Sequence, residues 1–69
     1  MADNRVVGKT CRVTASVSQT KMGEVMIPIR GGTEAYMALT DDPEPIPKHA
    51  SAVVVELTPP RTVRITRIS

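Results

Sequence analysis

Residues 23–40 read GEVMIPIRGGTEAYMALT, and this stretch decides the fold. The apolar residues of its first half occupy alternate positions: Val25, Ile27 and Ile29. A period of two is typical of a strand that buries one face. Gly31-Gly32 is the strongest turn signal in the chain, because both residues accept a positive φ at low cost. The stretch therefore predicts a hairpin between a strand over residues 24–30 and a strand over residues 34–40.

The same alternation recurs outside the hairpin. Val, Ile and Thr supply 22 of the 69 residues, and such side chains fit a pleated sheet better than a helix. We predict three further strands, over residues 10–17, 52–58 and 62–68. Two of these strands have clear inward positions: Cys11, Val13, Ala15 and Val17 on the first, and Val53, Val55 and Leu57 on the second.

Prolines predict where regular pairing stops. Pro28 has no N–H, so its strand is expected to lie at a sheet edge or to carry a bulge there. Prolines at positions 43, 45 and 47 exclude a helix over residues 41–48 and favour an extended loop. Pro59-Pro60 predicts a stiff corner before the last strand.

Five short strands with one apolar face each predict an all-β domain. Closing them into a small five-stranded barrel buries those faces and removes most free edges. An oligonucleotide/oligosaccharide-binding (OB) barrel and an SH3-like barrel both fit. The long first hairpin favours the OB-like barrel, with the proline loop in place of its usual helix. A chain of 69 residues forms one domain, and residues 1–7 are predicted to be a flexible lead-in.

Composition narrows the class of protein. Hydrophobic residues make up 41% and the formal net charge is +2, which indicate a globular domain with no strong polyanion preference. No apolar run approaches the roughly 20 residues of a membrane helix, and the N-terminus does not resemble a signal peptide. The single cysteine excludes an intrachain disulfide. We therefore expect a cytoplasmic location, on the cytoplasmic side of a membrane if the chain is an excised domain.

Seven short segments carry a family resemblance: Val7-Gly8-Lys9-Thr10, Tyr36-Met37-Ala38, residues 41–44, Ile46-Pro47-Lys48, Val53-Val54-Val55, Pro59-Pro60 and Val63-Arg64-Ile65. Together they resemble the C-terminal domain of NfeD-like proteins (the nodulation-efficiency protein D family). There are two departures: His49 stands where the family usually has Gly, and Lys21-Met22-Gly23 stands where it usually has a Pro-x-Gly corner. The resemblance implies a non-catalytic OB barrel of a membrane protein, associated with stomatin- and flotillin-like membrane scaffolds.

The residues suited to catalysis or metal binding are few. His49 is the only histidine, and nothing in its spacing from Ser51 or Asp42 defines a triad, so we interpret it as a surface residue. The carboxylates of the proline loop lack EF-hand spacing and indicate a solvated loop: Asp41, Asp42 and Glu44. Cys11 lies in an apolar register, where a thiol acts as a small hydrophobe. We predict no enzyme, no metal site and no cofactor.

Two sets of residues are candidates for binding. The candidate interaction surface comprises Met26, Pro28, Arg30, Tyr36, Met37 and Val54, and an edge at Pro28 or beside the proline loop could accept a partner strand. The candidate anion contacts are Arg12, Arg61, Arg64 and Arg67. The leading hypothesis is a protein-interaction module of a membrane-associated protein. The alternative is a nucleic-acid-binding OB domain that uses these arginines and Arg30, although Tyr36 is the only ring for base stacking.

Overall fold

The computed structural model describes residues 6–68, and these residues form five strands and no helix. The strands are β1 (Thr10–Ala15), β2 (Gly23–Ile29), β3 (Gly32–Thr40), β4 (Ser51–Thr58) and β5 (Thr62–Arg67). Of the predicted lead-in, residues 1–5 lie outside the described residues. Val6 is 5% exposed and belongs to the core, so the core extends beyond the start of β1. Within residues 6–68 no helix is long and apolar enough to cross a bilayer.

The five strands close into a barrel in the order β1-β2-β3-β5-β4, and β4 pairs with β1. All neighbours are antiparallel except β3 and β5, which run parallel. This confirms the all-β prediction and the small five-stranded OB-like barrel. Closure leaves the sheet without a free outer strand, which protects its backbone groups from unwanted pairing.

The core fills the barrel with small and β-branched side chains. Its members are Val6, Cys11, Val13, Val17, Val25, Ile27, Ala38, Ile46, Ala52, Val54, Val63 and Ile65. Ile46 comes from the proline loop and is fully buried, and its backbone pairs with that of Val17 through two hydrogen bonds. The proline loop therefore contributes to the core between β3 and β4, in place of the usual helix of an OB barrel. The buried Thr40 hydroxyl donates to the carbonyl oxygen of Ile65, 2.8 Å away.

Two β-bulges set the registers of β1 and β4. The bulge in β1 lies between Val13 and Ala15 and leaves Ala15 exposed, so its predicted inward position is wrong. Gly23 allows the close approach of strands at this bulge, because a Cβ there would clash with the carbonyl oxygens of Ala15 and Ser16. The extra residue in the pairing explains why strict alternation fails.

The second bulge lies in β4, between Val54 and Glu56. It makes the predicted inward positions of Val53 and Val55 wrong, because Ala52 and Val54 are buried instead. Val55 is 48% exposed. Leu57 packs against the core as predicted, because the extra residue in β4 shifts the inward positions from even to odd residue numbers beyond the bulge.

The expectation that Pro28 lies on an edge strand or at a bulge is wrong. Strand β2 lies between β1 and β3, so it is not an edge strand, and the bulge in its pairing with β1 is not at Pro28. Pairing between β1 and β2 ends at Arg12 and Met26, whereas Pro28 still pairs with Thr33 on β3. The proline is tolerated because β1 has already separated from β2 at this point.

Candidate interaction groove

Three of the predicted interaction residues come together on the outer face of the β2–β3 hairpin. Met26 lies opposite Ala35 and Pro28 lies opposite Thr33. Met37 lies two residues beyond Ala35 on the same face, within reach of diagonal contact with Met26. Met37 is 43% exposed. We call Met26, Pro28 and Met37 the methionine face.

The other three predicted interaction residues do not share the methionine face. Arg30 is exposed in the turn at the end of the hairpin. Tyr36 alternates with Met37, so it points to the opposite side of β3, where it packs against the core. Val54 is 1% exposed because the bulge in β4 turns it inward. Its placement on a contact surface is therefore wrong.

A groove opens beside the methionine face, where β1 and β2 separate. Thr10 and Cys11 pair with β4 on the other edge of β1, but they have no partner on β2. The groove has a volume of about 390 Å³ and is lined by Thr10, Cys11, Arg12, Met26, Pro28, Thr33 and Ser51. We call it the β1–β2 groove. Thr10, Thr33 and Ser51 were not candidates in the sequence, because only the pairing of three separate strands brings them together.

Arg12 is the one charged side chain that lines the β1–β2 groove. It is exposed and forms no ion pair or side-chain hydrogen bond within the described residues. Glu24 lies two positions from Met26 on the same face of β2, but its carboxylate accepts a hydrogen bond from the Thr14 hydroxyl at 2.8 Å. The positive charge of Arg12 is therefore left for solvent or a ligand.

The arginines of β5 have a different environment. Arg64 donates through Nη1 to Asp41 at 2.9 Å and through Nε to Glu56 at 3.2 Å. It therefore joins the start of the proline loop to β4. This partly buried guanidinium is neutralised by two carboxylates, so it is poorly suited to contact an external phosphate.

Arg61 lies in the turn before β5 and covers the only aromatic ring. Its guanidinium is 5.3 Å from the centre of the Tyr36 ring and 3.5 Å from the Glu34 carboxylate. Tyr36 also donates to Glu34 at 3.2 Å. A base could stack on the Tyr36 face under Arg61 only by displacing the guanidinium. Arg67 lines a separate cavity with Asp42 and Glu44 of the proline loop. The predicted anion contacts therefore do not form one continuous basic surface, which weakens the nucleic-acid hypothesis.

The sequence predicted a solvated acidic loop, but the structure joins this loop to β5 through hydrogen bonds. Asp42 accepts hydrogen bonds from the Thr66 hydroxyl and the Arg67 backbone N–H, both at 2.9 Å. The Asp42 N–H in turn donates to Thr40 Oγ1 at 3.0 Å. Across residues 6–68, no three His, Cys, Asp or Glu side chains are grouped so that they could hold a metal ion.

The surroundings of His49 and Cys11 indicate structural roles for both residues. His49 is exposed with φ at 79°, and its N–H donates to the Val13 carbonyl at 2.7 Å. This positive φ explains why glycine suits the position in the family that the sequence resembles. Cys11 is 3% exposed, and burial raises the pKa of its thiol from 9.0 to about 11. The thiol is therefore protonated and a weak nucleophile at neutral pH.

The closed five-stranded barrel defines this chain as an OB-like β-barrel domain. The family model of the NfeD C-terminal domain matches residues 10–66. The chain therefore belongs to the NfeD C-terminal domain family, which confirms the resemblance seen in the sequence. No curated protein matches the chain significantly.

Two solved structures have a similar fold. The soluble domain of the NfeD protein YuaF from Bacillus subtilis is 27% identical with a TM-score of 0.75, and the match covers 87% of this chain and 70% of that one. The C-terminal domain of stomatin operon partner protein 1510-C from Pyrococcus horikoshii is 22% identical with a TM-score of 0.71. That match covers 100% of this chain and 97% of the other, and it shows the same fold.

Proposed function

We propose that this domain is a non-catalytic protein-interaction module of a membrane-associated NfeD-like protein, on the cytoplasmic side of the membrane. Its partner is a scaffold of the stomatin or flotillin type. The family membership supports a setting of this kind, and a structural neighbour is named as a stomatin operon partner. The observation that carries the proposal is the methionine face on the β2–β3 hairpin beside the β1–β2 groove. This apolar surface combines exposed Pro28 and Met37 with half-buried Met26.

The chemistry of this face suits a protein partner. Methionine side chains are flexible and polarisable, so they adapt to varied apolar surfaces. Pro28 is exposed on β2 and adds a rigid apolar ring to this face. Because a 69-residue barrel presents only a small patch, we expect an interface at the low end of the size range and a transient complex.

The proposal is tested by binding of the purified domain to the stomatin-type and flotillin-type proteins of the same genome, reconstituted in nanodiscs. Met26→Glu places a charge on the methionine face and should weaken binding by about tenfold, as expected for loss of an apolar anchor. Val55→Glu is the matched control, because Val55 is 48% exposed and lies at the β4 bulge, outside the β2–β3 hairpin. Absence of binding by the unmodified domain, or an equal loss in both variants, contradicts the proposal.

A further inference from the structure

The β1–β2 groove is a concave surface that forms where β1 separates from β2 on an otherwise closed barrel. Pairing between β1 and β2 ends at Arg12 and Met26, whereas β1 stays paired with β4 as far as Thr10 and Val53. Pro28 and Thr33 continue the hairpin alone and form the opposite wall. At about 390 Å³, the groove is at the small end of known ligand sites. It therefore fits a few side chains and not a folded domain.

The positive charge of Arg12 in the groove favours an anionic ligand. Arg12 is exposed in its wall, and no lining residue carries a carboxylate. Arg61 and Arg64 are each paired with a carboxylate, whereas Arg12 has none among residues 6–68. A planar guanidinium binds a carboxylate through two parallel hydrogen bonds. The groove is therefore complementary to a single anionic group beside apolar side chains.

The backbone at the groove indicates how a peptide could lie in it. The two-residue turn at residues 30–31 makes Ile29 and Gly32 a hydrogen-bonded pair, so alternation directs the backbone groups of Pro28 towards the groove. Pro28 offers a carbonyl there but no N–H. Because the ladder lacks that donor, a partner strand cannot pair continuously with β2. Recognition must come mainly from side chains.

We propose that the β1–β2 groove binds a short extended acidic peptide of the partner protein. A Glu or Asp carboxylate of the peptide binds the Arg12 guanidinium, and a neighbouring aliphatic side chain packs on Met26 and Pro28. This inference rests on the proposed function and names the chemistry of the partner segment. It replaces the strand addition that the sequence suggested at Pro28.

Other anionic partners fit the groove less well. Anionic membranes are recognised by clusters of about four to eight basic residues, and the groove lining contains only Arg12. Single-stranded nucleic acid needs a track of cations with stacking rings, but Tyr36 is across β3 and covered by Arg61. A single carboxylate next to an aliphatic side chain matches the one cation and the apolar wall.

The test is selection of random seven-residue peptides displayed on phage against the immobilised 69-residue chain. We expect enrichment of Asp or Glu next to Leu, Ile or Val, and chemical-shift changes at Arg12, Met26 and Thr33 when a selected synthetic peptide is added. Arg12→Gln should weaken binding of that peptide by about tenfold, the value of one charge-assisted contact. Lys48→Gln removes the same charge from an exposed loop outside the groove and should leave the affinity unchanged.

Each other outcome overturns the inference. Peptides enriched without acids, or bound equally well by Arg12→Gln, exclude the proposed contact. Co-sedimentation with phosphatidylglycerol vesicles or binding of a thymidine oligonucleotide, lost in Arg12→Gln in the absence of peptide binding, assigns the groove to a lipid or nucleic acid instead. If the scaffold protein binds the domain but Arg12→Gln does not affect that binding, the groove inference fails while the proposed function stands.

Discussion

Arg64 on β5 and Arg12 on β1 both project from the outer face of the same barrel, yet their environments are opposite. Arg64 contacts Asp41 and Glu56, and next to it Asp42 holds the end of β5 through Thr66 and the backbone. Arg12 stands beside half-buried Met26 and exposed Pro28 and contacts no carboxylate within residues 6–68. One side of the barrel uses its charges to fasten the fold, and the other leaves its charge available for binding. We call these the fastened side and the open side.

The largest effect is expected at Ile46, where the proline loop of the fastened side enters the core. This residue carries the proline loop into the core and is fully buried. Ile46→Ala should lower the free energy of unfolding by about 2–5 kcal/mol through lost burial and a cavity. Urea denaturation followed by circular dichroism measures it. On the open side, Met26→Ala should cost less than about 1 kcal/mol. Equal losses at the two positions would remove the distinction between the sides.

The carboxylate of Asp42 should give the next largest effect. It accepts two hydrogen bonds from β5, and Asp42→Ala should lower the free energy of unfolding by about 1–2 kcal/mol. Glu44→Ala is the matched control, because Glu44 is exposed in the same loop and makes no hydrogen bond within the described part of the chain. The same urea titration compares them. A loss at Glu44 as large as that at Asp42 would show that general loop charge, and not the β5 contact, matters.

His49 should give a smaller effect of opposite sign. A non-glycine residue at φ 79° carries left-handed backbone strain, whereas glycine adds entropy to the unfolded chain. The balance predicts that His49→Gly raises the free energy of unfolding by about 0.5–1 kcal/mol. His49→Ala keeps the strain and should give no gain. Thermal unfolding of the two variants measures the difference, and a glycine variant no more stable than the alanine variant would contradict the strain.

Local patterns in the sequence predict the hairpin and the number of strands well. The alternation at Val25 and Ile27 and the glycine turn signal depend only on neighbouring residues, so they can be read directly. The turn itself lies one residue earlier than predicted, at residues 30–31, and Gly32 already belongs to β3. The bulge in β4 cannot be predicted in this way, because both faces of that strand carry valines and the pattern does not mark where a residue is inserted. The wrong orientations of Val53 and Val54 follow from this single insertion.

The candidate site was less predictable than the fold because it depends on pairing between distant segments. Met26 and Met37 could be placed on one surface from the hairpin alone. The difference between Arg12 and Arg64 could not be predicted from the sequence, because Asp41 and Glu56 contact Arg64 only after β4 and the proline loop pack beside β5. Which arginines remain available is therefore a property of the closed barrel.

The measurement that tests this account most directly is the paired comparison of Arg12→Gln and Arg64→Gln for urea stability and for binding of the selected acidic peptide. Arg64→Gln should lower the free energy of unfolding by about 1 kcal/mol, an effect that shrinks in high salt because its partners are exposed, and should keep its peptide affinity. Arg12→Gln should keep its stability and lose about tenfold in affinity. An Arg12→Gln variant that is destabilised like Arg64→Gln and still binds the peptide would contradict the account.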